Sequence, residues 1–124
     1  QVAVINLIII IGGLIMGSFS IKAAGNSLDV VCEGLFAPED AKRFVTDFQK
    51  ESKKVNPATC QLTLDGSKLG ASPTEMQEML SGILTMYKQM GFRNVTIAFG
   101  GNAIAKMQVK RLAKEVGIDN FNVL

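Results

Sequence analysis

The feature that most constrains the fold is a regular alternation between two hydrophobic periodicities along the chain. Short runs in which every second residue is apolar alternate with longer runs in which apolar residues recur every three or four positions. The first period is typical of a β-strand with one buried face, and the second is typical of an amphipathic helix. Because short connections join successive runs, the pattern predicts an α/β domain rather than separate helical and sheet regions.

The first half of this pattern predicts a hairpin, a helix and a strand. Two short strands, 18–24 and 27–32, flank the turn Gly25-Asn26. A helix then begins near Pro38, where acidic residues suit the positive end of the helix dipole, and Asn56-Pro57 ends it. The apolar stripe of the helix consists of Ala41, Phe44, Val45 and Phe48, and the next strand has the apolar face Cys60, Leu62 and Leu64.

The clearest helix lies in the second half. Ser72-Pro73-Thr74-Glu75 has the pattern of a capping box, and Gly91 is placed to end the helix that follows. Its continuous apolar stripe consists of Met76, Met79, Leu80, Ile83, Leu84, Tyr87 and Met90. The remaining elements are a strand at 95–99, a helix at 103–116 with Gly117 as its cap, and a strand at 121–124.

The order of these elements, β-β-α-β-α-β-α-β, predicts a small, mostly parallel sheet with three helices. Right-handed crossovers should carry the helices, and the first hairpin should supply an antiparallel edge strand. A length of 124 residues fits one domain. We therefore expect an α/β domain at 18–124, preceded by a separate apolar segment at 1–17.

The apolar segment allows three interpretations. Residues 2–19 carry no charge and are just long enough to cross a bilayer as a helix, so the segment fits a membrane anchor. It also fits the N-terminal helix of a pilin-like filament subunit, although Ile5 stands where most bacterial pilins have a glutamate. The third interpretation is the tail of a fusion, since Met16 resembles a natural start. A membrane anchor would place the domain in the cytoplasm at a membrane, and a filament subunit would place it at the cell surface.

The composition argues against an enzyme. The chain has no histidine, which removes Ser-His-Asp and Cys-His catalysis and histidine-ligated metals. The predicted elements do not bring its carboxylates together at one place. No part of the sequence pattern combines a nucleophile, a base and an orienting group. A net charge of +2 is too small to indicate nucleic-acid binding. We expect no catalytic residue, metal, cofactor or nucleic-acid partner.

The two cysteines, Cys32 and Cys60, are too few for a structural zinc site or a disulfide framework. Both lie in strand-like runs, which favours buried, reduced thiols. A single disulfide bond in an oxidising compartment is the alternative.

The order and spacing of the later elements resemble a STAS domain, the fold of the anti-sigma-factor antagonists, over 18–124. Four passages carry the resemblance. The run 27–34 is similar to the second strand of the family, which ends in a glycine before a helix, and 62–65 is similar to its third strand. Val95–Phe99 with Asn102 resembles the fourth strand and the start of the third helix, and 117–121 resembles the closing passage.

This resemblance implies a non-enzymatic regulatory domain that binds another protein, such as a regulatory kinase, an anti-sigma-like factor or a membrane protein. Phosphorylatable antagonists carry Asp-Ser-Ser-Gly at the start of the second helix, where this chain has 71–75 without that aspartate and glycine. Ser72 and Thr74 are therefore the candidate phosphoacceptors, at a helix start that would stabilise added charge. The alternative role of Ser72 is the N-cap alone.

Three regions are candidates for a partner surface. The first is a predicted loop from Gly66 to Pro73, and the second is Met86, which falls off the apolar stripe of its helix. The third is the basic side of the last helix, which would suit an acidic partner or anionic lipid unless it is only a solvated face. The candidate residues are Ser67, Lys68, Leu69, Met86, Lys106, Lys110 and Lys114. The turn Gly100-Gly101-Asn102 could receive a phosphate, but a tight turn explains it as well. The oligomeric state stays open.

Overall fold

A computed structural model describes residues 17–70 and 74–124 of the chain. The described residues form five strands, three helices and one 3₁₀ turn, Pro57–Thr59. The strands are β1 (Ser18–Ala24), β2 (Ser27–Gly34), β3 (Gln61–Leu69), β4 (Asn94–Ala98) and β5 (Phe121–Val123). The helices are α1 (Pro38–Ser52), α2 (Thr74–Met90) and α3 (Ala103–Val116).

The strands form a single sheet in the order β1-β2-β3-β4-β5. The β1–β2 pair is antiparallel, and the other three pairs are parallel. The predicted fold class is therefore confirmed: the protein has a small, mostly parallel sheet with an antiparallel edge strand and three helices. Because each helix connects neighbouring parallel strands, the spatial order of the sheet follows the sequence.

One face of the sheet carries the core. The register aligns Leu28 with Leu62 and Val95, and Val30 with Leu64 and Ile97, so that apolar side chains form continuous rows across the strands. All three helices pack on this face, because each contributes buried residues to the same hydrophobic cluster. The helical members of that cluster are Phe44, Phe48, Leu84, Tyr87, Ala105, Val109, Leu112 and Ala113.

None of the described residues on the opposite face of the sheet is buried. Asp29, Val31 and Asp65 are exposed there, and Thr63 and Thr96 are half-buried. The alternation of buried and polar residues along each strand is the cause, since successive side chains of a strand point to opposite faces. The domain therefore has two layers, a sheet and a helical layer.

The start of α1 lies against residue 17. The Asp40 carboxylate accepts a hydrogen bond from the Ala37 N–H at 2.8 Å and forms an ion pair with Arg43. A Cβ atom on Gly17 would lie 2.8 Å from Asp40 Oδ2 and 2.8 Å from a ring carbon of Phe36, so only glycine fits this approach. Gly17 therefore brings the chain across the first turn of α1 and into β1.

The prediction of a loop from Gly66 to Pro73 is wrong at its N-terminal end, because β3 continues to Leu69. A register shift follows the Val31–Asp65 pair: β3 has one extra residue there, after which Glu33 pairs with Lys68 and Gly34 with Leu69. The turn-like sequence Asp65-Gly66-Ser67 is retained as an irregularity within the strand, where the Ser67 N–H donates to Asp65 Oδ1 at 3.0 Å, and pairing with β2 resumes at Lys68. Residues 71–73 of the predicted loop lie outside the described residues.

Candidate binding surface at the carboxyl edge of the sheet

The carboxyl ends of β3 and β4 are connected by Asn102, which lies between β4 and α3. Its Oδ1 accepts a hydrogen bond from the Ala105 N–H at 3.1 Å, which caps α3. Its Nδ2 donates to the Leu69 carbonyl oxygen at 2.9 Å. The same side chain therefore positions the start of α3 beside the end of β3, at the edge where ligands of open parallel sheets usually bind.

Two of the predicted surface residues, Ser67 and Lys68, are exposed beside this connection, and Leu69 is half-buried. Gly100 lies against Ser67: a Cβ atom on Gly100 would lie 3.3 Å from the Ser67 Cβ. Gly100 also has a φ of 60°, which glycine adopts without strain. Ser67 and Gly100 therefore lie in close contact at this edge of the sheet.

The turn after β4 is closed by its own backbone. The Asn102 N–H donates to the Phe99 carbonyl at 3.2 Å, and the Ala103 N–H donates to the Gly101 carbonyl at 3.1 Å. These amide groups are already used, so the geometry favours a tight turn over a phosphate cradle.

The outer face of α3 combines apolar and basic side chains. Ile104 is 64% exposed and Met107 is 70% exposed, although both are large and hydrophobic. One and two turns further on, Lys110, Arg111 and Lys114 are exposed on the same side of the helix. We call these five residues the α3 outer face. Exposed apolar groups next to charged ones are typical of sites where proteins associate.

The positive charge of this face is largely uncompensated. Arg111 donates to Gln77 Oε1 at 2.5 Å and has its Nε 3.9 Å from Glu115 Oε1. Within the ranges that the structure describes, no carboxylate forms an ion pair with Lys106, Lys110 or Lys114. Lys106 is half-buried at the margin of the face. The helix therefore presents a positive potential that would attract an acidic surface.

Met86 does not join this surface. It is half-buried on α2 and packs against the core, and Gln49 of α1 donates its Nε2–H to Met86 Sδ at 3.8 Å. The contact places Met86 at the junction of α1 and α2. The predicted partner residues therefore lie in separate places: Met86 at the junction of α1 and α2, residues 67–69 at the end of β3, and the three lysines along α3.

Of the candidate phosphoacceptors, Ser72 lies outside the described residues. The backbone of Thr74 begins α2. The assignment of either hydroxyl as a phosphoacceptor stays a prediction.

Both cysteines are free, buried thiols. Leu28 pairs with Leu62, so Cys32 and Cys60 lie six residues apart along the strand direction, a separation of roughly 20 Å. A disulfide bond needs Cα atoms within about 7 Å, so an intramolecular bridge does not fit this fold. Burial raises the pKa of the Cys32 thiol to about 12 and also raises the pKa of Cys60, with a further increase from the Asp29 charge.

The structure brings no catalytic constellation together in the part of the chain that it describes. No group of three metal-binding side chains occurs there. The helices at 38–52, 74–90 and 103–116 are each too short or too polar to span a membrane. The apolar segment on which the anchor and filament interpretations rest was predicted at residues 2–19. Residues 2–16 of it lie outside the described ranges, and Ser18 and Phe19 belong to β1.

Sequence reasoning missed two features of the helical layer. The first is the exposed apolar pair Ile104 and Met107. The sequence could have indicated it, because these residues lie three positions apart and outside the buried stripe of the helix. The second feature is a cavity beneath the helices, and no local pattern indicates a cavity.

Comparisons with known proteins add no further assignment. No protein-family model matches the chain, and no curated protein matches it.

Proposed function

We propose that this chain is a non-enzymatic, STAS-like regulatory domain that docks a protein partner through the α3 outer face. The observation that carries the proposal is the exposure of Ile104 and Met107 beside lysines that form no ion pair with any described carboxylate. A partner with an acidic surface around an apolar pocket would complement this face. Such a partner could be a regulatory kinase, an anti-sigma-like factor or a membrane protein.

The two kinds of side chain would contribute differently to docking. The apolar groups supply affinity when water is removed from them, and each good anchor contributes on the order of 1–2 kcal/mol. The lysines mainly accelerate encounter and select against basic partners. The hydrogen bond from Asn102 to Leu69 holds the helix start in place, so the face is presented by a rigid edge. Pre-organisation of this kind lowers the entropy lost on binding.

The regulatory part of the proposal rests on the resemblance of 18–124 to STAS domains. A phosphoswitch at Ser72 or Thr74 and a membrane tether at residues 2–19 belong to the same proposal. Neither is needed for docking through α3.

Site-specific photocrosslinking in the cells that express the full chain tests the docking site. Benzoylphenylalanine replaces Met107 in one variant and Lys42 in the control, because Lys42 is exposed on α1, outside the α3 outer face. We expect a discrete adduct from position 107 and none from position 42. Equal adducts at both positions, or no adduct at 107, would contradict the proposal.

Charge reversal then tests the chemistry of the crosslinked partner. Lys110→Glu should weaken its binding by about tenfold at low salt, mainly through a slower association rate, and less at high salt. Lys42→Glu makes the same change of charge elsewhere and should leave binding unchanged. Equal weakening by both variants would show that only net charge matters.

A further inference from the structure

We propose that β1 pairs with β1 of a second copy of this chain, so that two sheets join across a two-fold axis at Ile21. β1 is the first strand of the sheet, and β2 is its only neighbour among the described strands. The inference does not depend on docking through α3, because α3 connects β4 and β5 at the opposite edge of the sheet.

Alternate residues of β1 direct their backbone groups to the free edge. The hairpin turn Gly25-Asn26 has two residues, so the flanking pair Ala24 and Ser27 is hydrogen-bonded. Bonded and non-bonded pairs alternate along an antiparallel ladder. The backbone N–H and C=O groups that point away from β2 therefore belong to Phe19, Ile21 and Ala23. No backbone group elsewhere in the described ranges bonds to them.

β1 lacks most of the features that keep a sheet edge from pairing, which include shortness, proline and bulges. It has seven residues without a proline, and its register with β2 has no shift. Its one charged residue, Lys22, is aligned with Asp29 of β2, which offsets the charge. β5 at the other edge has only three residues. β1 is therefore the edge better suited to accept another strand.

The sequence of β1 is complementary to itself in the antiparallel direction. Ile21 is the middle residue of the strand, so an axis there pairs the full length of both copies. Phe19 would then face Ala23 of the second copy, a large side chain against a small one. Lys22 would face Ser20 of the second copy, so no like charges are opposed.

Pairing would cover apolar side chains that the helices leave partly exposed. Phe19, Ile21 and Ala23 are half-buried on the face that carries the helices. The ring of Phe19 lies 5.3 Å from that of Phe44 in α1, edge to face, so it is already held in place. In the joined sheet these side chains would form one row across the axis, and burial of the row favours the dimer.

The groove between β1 and α1 carries charges of both signs. Asp47, Lys50 and Glu51 of α1 line it beside β1. Glu51 is paired with Lys54, whereas neither Asp47 nor Lys50 forms an ion pair with a described residue. Because the axis reverses the direction of α1 in the second copy, Asp47 of each copy can approach Lys50 of the other. The charges therefore favour a second copy over a strand of arbitrary sequence.

Disulfide trapping of the full chain in a mild detergent tests the register. Ile21→Cys places the two Cα atoms at the axis about 5.5 Å apart, within reach of a disulfide bond. Ala24→Cys is the control, because this exposed residue would lie roughly 20 Å from its counterpart. We expect a covalent dimer from position 21 and none from position 24. The unaltered chain, whose two thiols are buried, is the blank.

Two variants of the exposed Ser20 test the same pairing through charge. Lysine at position 20 would oppose Lys22 of the second copy, and glutamate would attract it. By analytical ultracentrifugation, Ser20→Lys should raise the dissociation constant of the dimer about three- to tenfold, whereas Ser20→Glu should not raise it. If circular dichroism shows that Ile21→Cys fails to fold, these two variants decide alone.

Three results would overturn the proposal. The first is a wild-type chain that stays monomeric at about 1 mM, as it would if residues 1–16 of the same chain covered the edge. The second is the absence of a covalent dimer from a folded Ile21→Cys, or equal trapping at positions 21 and 24. The third is an equal dissociation constant for Ser20→Lys and Ser20→Glu, which would place the contact on another surface or in residues 1–16.

Discussion

Asn102 and Leu69 are 33 residues apart in sequence, and a hydrogen bond of 2.9 Å connects the Asn102 amide to the Leu69 carbonyl. The donor belongs to the cap of α3, and the acceptor is the last residue of β3. One side chain therefore both caps α3 and bonds its start to the end of β3.

Replacement of Asn102 separates its two roles. Asn102→Ala removes both the cap and the bond to Leu69 and should lower the free energy of unfolding by about 2 kcal/mol. Asn102→Ser keeps a good capping oxygen but is too short to reach Leu69, so it should cost about 1 kcal/mol. Urea unfolding followed by circular dichroism measures both. A serine variant as stable as wild type would show that the bond to Leu69 contributes nothing.

Tyr87→Phe should not destabilise the protein. It removes a buried hydroxyl that has no partner among the described residues, so the free energy of unfolding should stay unchanged or rise by about 1 kcal/mol. Urea unfolding checks this in the absence of any added ligand. A loss of more than about 1 kcal/mol would show that the hydroxyl is satisfied in the folded protein.

The same residue makes stability depend on alkaline pH. Burial raises the pKa of Tyr87 well above its usual value of 10.0, so the folded protein holds the phenol proton more tightly than the unfolded chain. The stability from this group is complete below pH 10 and is lost as pH rises further. Tyr87 is the only tyrosine and the chain has no tryptophan, so ultraviolet absorbance reports its ionisation directly. Ionisation of the native protein near pH 10 would contradict the prediction.

The two thiols should react slowly in the native protein. Cys32 and Cys60 are buried, and the pKa of Cys32 is raised from 9.0 to about 12, so little thiolate is available at pH 8. Iodoacetamide labelling, read by intact mass, should be slow without urea and rapid in it. The variants Cys32→Ala and Cys60→Ala assign each rate. Rapid modification of either native thiol, or a mass lower by two hydrogens, would contradict the prediction.

The raised pKa of Cys32 also makes the stability of the protein depend on pH. Because the unfolded Cys32 ionises near pH 9.0 and the folded one near 12, its contribution to stability is complete below pH 9.0 and falls as pH rises towards 12. Cys32→Ala should therefore show a smaller alkaline loss of stability than wild type, measured by urea unfolding at pH 8 and pH 10.5.

Gly82, inside α2, and Gly91, which directly follows it, should respond in opposite ways to alanine. Gly82 lies inside the helix, and a Cβ atom there would contact nothing within 4 Å. Gly82→Ala should raise the free energy of unfolding by about 0.5–1 kcal/mol, because alanine favours a helix. Gly91 ends the helix with a φ of +73°, so Gly91→Ala should lower it by about 1 kcal/mol. Thermal unfolding compares them, and a destabilising Gly82→Ala would contradict the prediction.

Much of the fold could be predicted because its causes are local. The apolar stripe from Met76 to Met90 specifies a helix, and the alternation Val95, Ile97, Phe99 specifies a strand, whatever lies next to them. Gly117 ends α3 with a φ of 76°, as its position in the sequence predicted. The resulting order of elements was enough to predict a mostly parallel sheet.

The candidate site was less predictable, because contacts distant in sequence decide it. A register shift opposite Glu33 extends β3 to Leu69, where the sequence favoured a loop. Met86 lies beside Gln49 of α1, a contact between two helices that the periodicity of one helix does not reveal. Its role in docking stays a prediction.

The sequence by itself determined the order and type of the strands and helices and the absence of histidine chemistry, since these follow from residue types and short-range periodicity. The tertiary structure alone decided that Cys32 and Cys60 lie at opposite ends of neighbouring strands, that Asn102 reaches Leu69, and that the Tyr87 hydroxyl is buried with no hydrogen-bond partner among the described residues. The physical reason is that register, packing voids and hydrogen bonds between elements depend on how the elements meet. Periodicity specifies which face of an element is buried, but not what that face contacts.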